Sequence, residues 1–101
     1  MFKTIRDDQG VVIQPETDIT SSTIGEFRGS LKDIVAEGVA DLTFDLVHVE
    51  VIDSIGLGMI ISTHNSLTKI GGKLKVINAS PEVHELFQSM RLDRHFPVTG
   101  A

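Results

Sequence analysis

The sequence predicts an α/β fold: a mixed β-sheet of about four to five strands with helices packed against it, in the order β-β-α-β-α-β-α-β. Three observations predict it. Short segments of alternating apolar residues take turns with segments whose apolar residues recur every three or four positions. The run Asp7-Asp8-Gln9-Gly10 is a short turn between two strand-like stretches, as in a β-hairpin. The later strand-like stretches are each separated by a helical one, so they should be parallel with right-handed crossovers. The hairpin adds an antiparallel edge, which makes the sheet mixed.

The elements follow in order. Phe2–Arg6 and Val11–Pro15 are the hairpin strands. Thr20-Ser21-Ser22 offers hydroxyl caps for a first helix, whose apolar face is Ile24, Phe27, Leu31, Ile34 and Val35. Gly38 is its terminator. Asp41–Val47 is a strand in which Leu42, Phe44 and Leu46 alternate with Thr43, Asp45 and Val47. Extended, apolar character continues through Val49, Val51 and Ile52 to Asp53. A second helix starts near Ser54, repeats through Leu57, Ile60, Ile61, His64 and Leu67, and stops at Gly71-Gly72. Lys73–Ile77 is a strand with Leu74 and Val76 inward and the lysines outward. Ser80-Pro81 starts a third helix, with Val83, Leu86, Phe87 and Met90 on its buried face. His95–Val98 is a final short strand.

A chain of 101 residues predicts one domain over 1–101, with a modest core and no room for a deep enclosed active site. The net charge of −5 argues against direct nucleic-acid binding, which needs a clustered positive field. With no cysteine, disulfides, thiol catalysis and thiolate metal sites are excluded. Met1–Gly10 has no apolar signal-peptide core, and the apolar run Leu57–Ile61 is far shorter than the roughly 20 residues that span a bilayer. A soluble, cytoplasmic protein without membrane insertion is expected.

The stretch Asp53-Ser54-Ile55-Gly56-Leu57-Gly58 carries the chemistry. It lies where a strand meets a helix, and sites in parallel α/β sheets gather at the carboxyl ends of strands. Unpaired amides and the helix dipole there favour an anion, such as a phosphate on Ser54. Phosphorylation would add roughly −1.5 to −2 charge next to Asp53 and Glu50, repelling an acidic or apolar partner without refolding the domain. The two glycines would let another molecule approach closely. The plain alternative is a helix cap with glycines that ease packing. Leu57 and Met59 either border the exposed surface or belong to the core.

Ile52-Asp53-Ser54-Ile55-Gly56-Leu57-Gly58-Met59-Ile60 resembles the D-S-[ST]-G-L-G motif of the STAS family. Gly71 to Val83, and the ending Leu86-Phe87…Met90-Arg91-Leu92-Asp93…Phe96, resemble the same family, over nearly the whole chain. The resemblance implies a STAS-like fold and the role of an anti-sigma factor antagonist. Ser54 would be phosphorylated by a partner kinase using ATP. The unphosphorylated form would bind the anti-sigma factor/serine kinase and free the sigma factor, and a metal-dependent serine phosphatase would restore it. The protein would then be a phosphoprotein in a bacterial partner-switching pathway, not an enzyme, and would need no cofactor. Asp53, Ser54, Ile55, Gly56, Leu57, Gly58, Thr20 and Asp18 would form the partner-binding face. Two departures stand out. Ile55 occupies a position that usually holds Ser or Thr, leaving Ser54 as the motif's one acceptor. The family's Gly-x-[Leu/Ile]-Asp is here Thr17-Asp18-Ile19-Thr20, so Thr20 replaces the usual acid and Asp18 stands two places earlier.

Other constellations are weaker. His48, His64, His84 and His95 lack close ligand spacing, so no metal site is expected, and His64 reads as a core or boundary residue. No G-x-S-x-G elbow supports a hydrolase around Ser54. Gly71-Gly72-Lys73 closes a helix, so it is not a phosphate loop. A docking subunit of a lipid or anion transport assembly is the alternative function, and a small enzyme ranks last. Oligomeric state is open between monomer and weak dimer.

Overall fold

The computed structural model describes residues 2–8 and 10–100. It contains β1 (Phe2–Asp7), β2 (Gly10–Pro15), α1 (Ile24–Ala36), β3 (Asp41–Asp45), α2 (Ser54–Lys69), β4 (Lys73–Ala79), α3 (Pro81–Ser89), a 3-10 turn (Leu92–Arg94) and β5 (Val98–Gly100). The five strands lie in the spatial order β1-β2-β3-β4-β5. Only the β1–β2 pair is antiparallel, with Phe2 opposite Pro15 and Asp7 opposite Gly10. The pairs from β2 to β5 are parallel. The expected mixed sheet and element order are therefore present. In the hairpin turn the Gly10 amide donates to Asp7 Oδ1 at 3.0 Å. Gln9 of that turn lies outside the described residues.

Each crossover steps to the next strand in the same direction. Right-handed crossovers then place all three helices on one face of the sheet. That face carries the core: Val11 and Ile13 of β2, Leu42 and Phe44 of β3, and Leu74 and Val76 of β4. Phe27 and Leu31 of α1, Ile60 and Leu67 of α2, and Val83 and Phe87 of α3 pack onto it. Phe2 reaches the same core from the edge, 5.1 Å from Phe27 ring to ring.

Four local expectations are corrected. Thr23, not Thr20, Ser21 or Ser22, is the N-cap of α1, and it makes no side-chain cap bond. Its hydroxyl instead donates to the Asp18 carbonyl at 2.7 Å and accepts from the Thr20 amide at 3.0 Å. A hydroxyl used to shape the preceding loop is not available to the helix. β3 ends at Asp45 instead of Val47, because the Asp45 carboxylate accepts the Val47 amide at 3.2 Å and turns the chain. The last strand starts at Val98, since residues 92–94 coil and bury Leu92 and Phe96. On the expected buried face of α3, Met90 lies just beyond the helix and is exposed.

The helix ends follow their chemistry. Ser80 accepts the Val83 amide at 3.3 Å, with Pro81 at the first helical position. Gly38 and Gly71 follow α1 and α2 with φ of +83° and +75°, a conformation that stops a helix at little cost only with glycine.

Candidate functional site

Two loops meet at the carboxyl ends of β2 and β3. One runs from Pro15 to α1, the other from Asp45 to α2. A single parallel bridge between Ile19 and Ile52 joins them. The Ile19 amide donates to the Val51 carbonyl at 3.1 Å, and the Asp53 amide donates to the Ile19 carbonyl at 3.2 Å. Ile19 is fully buried and Ile52 nearly so, which anchors the junction in the core.

Two carboxylates tie this junction from either side. Asp18 Oδ1 accepts the amides of Glu50 and Val51 at 2.9 and 3.0 Å. Asp53 is the N-cap of α2: its Oδ1 accepts the Gly56 amide at 2.8 Å, and its Oδ2 accepts the Ser21 amide at 2.8 Å. These bonds, first from Gly56 and then from Ser21, outweigh desolvation and hold the Asp53 carboxyl below its ordinary value. Both acids are thus committed to backbone amides, and each clamps the first loop to the second.

Ser54 stands directly on this clamp as the first residue of α2, and it is exposed. Among the described residues its hydroxyl has no hydrogen-bond partner. The amides of the first helical turn have no partner within the helix, and the helix N-terminus presents partial positive charge. Asp53 takes the amide of Gly56, while the backbone around Ser54 stays fixed.

The remaining expected site residues divide. Ile55 and Gly58 are on the surface, Ile55 at 48% exposure. Gly56 and Leu57 are buried, so neither offers surface to a partner, and Met59 is equally in the core at 6%. Gly56 is required from within: a Cβ there would meet the Ile19 carbonyl oxygen at 2.2 Å. Gly58 faces open space, with nothing within 4 Å of a Cβ. Thr20 lies in the first loop, its hydroxyl 2.9 Å from that of Ser22.

The loop that leads to Ser54 exposes two apolar residues that the sequence reading did not name as site residues. Val47 and Val51 of the β3–α2 loop are 50% and 52% exposed, and Ile55 follows Ser54 at 48%. The four histidines are dispersed over the loop, α2, α3 and the end of the 3-10 turn. His64 packs on Phe96 at 5.2 Å between ring centroids. Among the described residues no group of three or more His, Asp or Glu side chains could hold a metal ion, and no helix is long and apolar enough to cross a membrane.

Comparison with known proteins gives a consistent picture. The family model described as "STAS domain" matches residues 2–100. The anti-sigma-B factor antagonist of Bacillus subtilis is 35% identical over 94 residues, covering 93% of this chain and 75% of that protein. A candidate anti-sigma factor antagonist from Thermotoga maritima superposes with a TM-score of 0.92 at 23% identity, over 99% of this chain and 86% of that one. The anti-sigma factor antagonist SpoIIAA, from Bacillus, has been solved in two forms. Its unphosphorylated form gives a TM-score of 0.75 at 19% identity, over 93% of this chain and 96% of that one. Its phosphorylated form gives 0.79 at 19% identity, over 97% and 90%. At these identities the structures share the fold.

Proposed function

The chain belongs to the STAS domain family, and from that premise we propose that it is an anti-sigma factor antagonist switched by phosphorylation of Ser54. One observation carries the reading: an exposed, unengaged hydroxyl on the Asp18–Asp53 clamp, in a segment that also exposes Val47, Val51 and Ile55. The relative's role as an anti-sigma-B factor antagonist supports the function, and the existence of a phosphorylated SpoIIAA supports the switch.

The mechanism is electrostatic. In the unmodified state the apolar patch is free to be buried by an anti-sigma factor that is also a serine kinase. Its ATP supplies the phosphoryl group, the Ser54 oxygen forms the new P–O bond, and ADP leaves as the proton is lost. The product carries roughly two more negative charges beside the Asp53 carboxylate. An apolar or acidic partner surface cannot bury that charge without a large desolvation cost, so the complex separates. A serine phosphatase then resets the hydroxyl. In this reading the protein is the substrate and the switch, one domain acting in the bacterial cytoplasm, and the chemistry belongs to its partners.

The decisive measurement is intact mass and peptide mapping of residues 52–69 on protein from its native cells, purified with phosphatase inhibitors. A fraction heavier by one phosphate at Ser54 is expected. Ser54→Ala should bind the kinase constitutively, and Ser54→Asp should bind at least tenfold more weakly, about 1.4 kcal/mol. An unmodified Ser54 across growth phases and stresses would overturn the switch.

A further inference from the structure

Apart from Glu26 in the first turn, the charges along α1 and its C-cap are sorted by face. Asp33 and Glu37 turn toward β1, where they line a hollow with Thr4 and Arg6, and Glu37 pairs with Arg6 at 2.7 Å. Arg28 and Lys32, one turn apart, turn the other way, into a groove between α1 and α2. Among the described residues neither has an ion-pair partner. The facing helix cannot supply one, because Ser54–Lys69 contains no Asp or Glu. On a chain of net charge −5, two cations are thus left facing one hollow with no internal counter-ion.

That groove has a volume of about 730 Å³, within the roughly 300–1,000 Å³ of small-molecule sites. Val35, Ala36 and Ile55 form its accessible aliphatic floor, with Leu31 and Met59 buried beneath, and the hydroxyl-bearing Ser62 and Ser66 line the α2 wall. It extends along α2 from Ile55 to Ser66, roughly 16 Å at the helical rise of 1.5 Å per residue. Both helices return from the ends of parallel strands and so run in the same direction, which puts Arg28 toward the Ile55 end. No aromatic ring lines the groove to stack on a base. Of the first-turn α2 amides, that of Gly56 is already taken by Asp53.

We propose that the α1–α2 groove is a binding site for an amphiphilic carboxylate: a medium-length hydrocarbon chain along Val35 and Ala36, with its head group on Arg28 and Lys32. A planar carboxylate matches a guanidinium with two parallel hydrogen bonds, and the aliphatic floor takes the chain. A ligand so placed ends one residue from Ser54, which makes the groove an input to the same switch. That coupling alone rests on the function proposed above, while the site itself does not.

The test uses the full chain and dodecanoate below its critical micelle concentration, followed by amide chemical shifts and calorimetry. Saturable one-site binding is expected, with shifts centred on α1 and α2. An Arg28→Gln, Lys32→Gln double variant should bind at least tenfold more weakly. Ser62→Leu, at an exposed position, should block the groove while leaving the spectrum of the rest of the fold in place. Dodecanol and dodecyltrimethylammonium should each bind at least tenfold more weakly than dodecanoate. The proposal is overturned by no saturable binding, by shifts centred on the sheet or on Val47 and Val51, by equal binding of the cationic amphiphile, or by dimer formation in place of one-site binding. None of these outcomes bears on phosphate transfer to Ser54.

Discussion

Two glycines of one motif have opposite reasons to be there. Gly56 is pressed against the Ile19 carbonyl, the acceptor that pairs with Asp53 and closes the two loops. Gly56→Ala puts a methyl group into backbone and should cost about 1–3 kcal/mol, as overpacking does. It should also displace the clamp under Ser54. Gly58 has open space where its Cβ would be and sits inside a helix, so Gly58→Ala should stabilise by about 0.5–1 kcal/mol. Urea unfolding of the two variants checks both signs. If Gly56→Ala matched wild type, the clamp would be looser than its distances imply. The same scale explains the departure at Thr17-Asp18-Ile19-Thr20. Asp18 spends its Oδ1 on the amides of Glu50 and Val51. The family resemblance placed it on the partner face, and a carboxylate in a loop gives no sign in the sequence of which backbone it will meet some 32 residues away.

Among the elements, the helix starts were legible wherever the capping chemistry is local. Ser80-Pro81 and Asp53-Ser54 begin α3 and α2 in the sequence as in the fold. The α1 start was not, because Thr23 is drawn into bonds with Asp18 and Thr20. The end of β3 was hidden for a related reason. Asp45 gathers Asn78 Nδ2 at 2.9 Å, Gln14 Nε2 at 3.0 Å and the Val47 amide. Three strands are thereby tied at their carboxyl ends by residues over 30 positions apart, which no periodicity reveals. Asn78 adopts φ +57°, a conformation Asn tolerates better than most residues, and its amide is aimed at Asp45. Desolvation alone would raise the Asp45 pKa. The bonds from Asn78, Gln14 and Val47, with the charge of His48, outweigh it and lower the value. A depressed carboxyl contributes stability that is present above its unfolded value, near 3.9, and is lost as pH falls through the lower folded one. Asp45→Asn should therefore be less stable at neutral pH by about 1 kcal/mol, read as a lower thermal midpoint. It should also show a shallower decline below about pH 4 than wild type. Parallel acid declines in the two proteins would remove Asp45 from the linkage.

The whole molecule is a two-layer sandwich with one sheet face left uncovered. Ile5, Val12, Thr43 and Lys75 form one row across that face, set by the pairing register. The helical layer holds both the Ser54 surface and the α1–α2 groove, so every functional feature argued above shares a single side. In the proposed switch, a charge at Ser54 would change what the surface binds without disturbing the core between sheet and helices. Ser54 is exposed at the first position of α2, and a negative charge in a first helical turn is favourable by about 0.3–1 kcal/mol at low ionic strength. The proposed switch then makes a distinctive prediction for the isolated protein. Ser54→Asp should unfold at the same temperature as Ser54→Ala or slightly above it, with the small advantage fading as salt is added. Amide shifts should change only around residues 18–23 and 47–58. A switch that worked by loosening the domain would do the reverse: the aspartate variant would lose stability, and its shift changes would spread into β3 and β4. Melting curves at low and high salt, read with the amide spectra, separate repulsion at a fixed surface from release by unfolding.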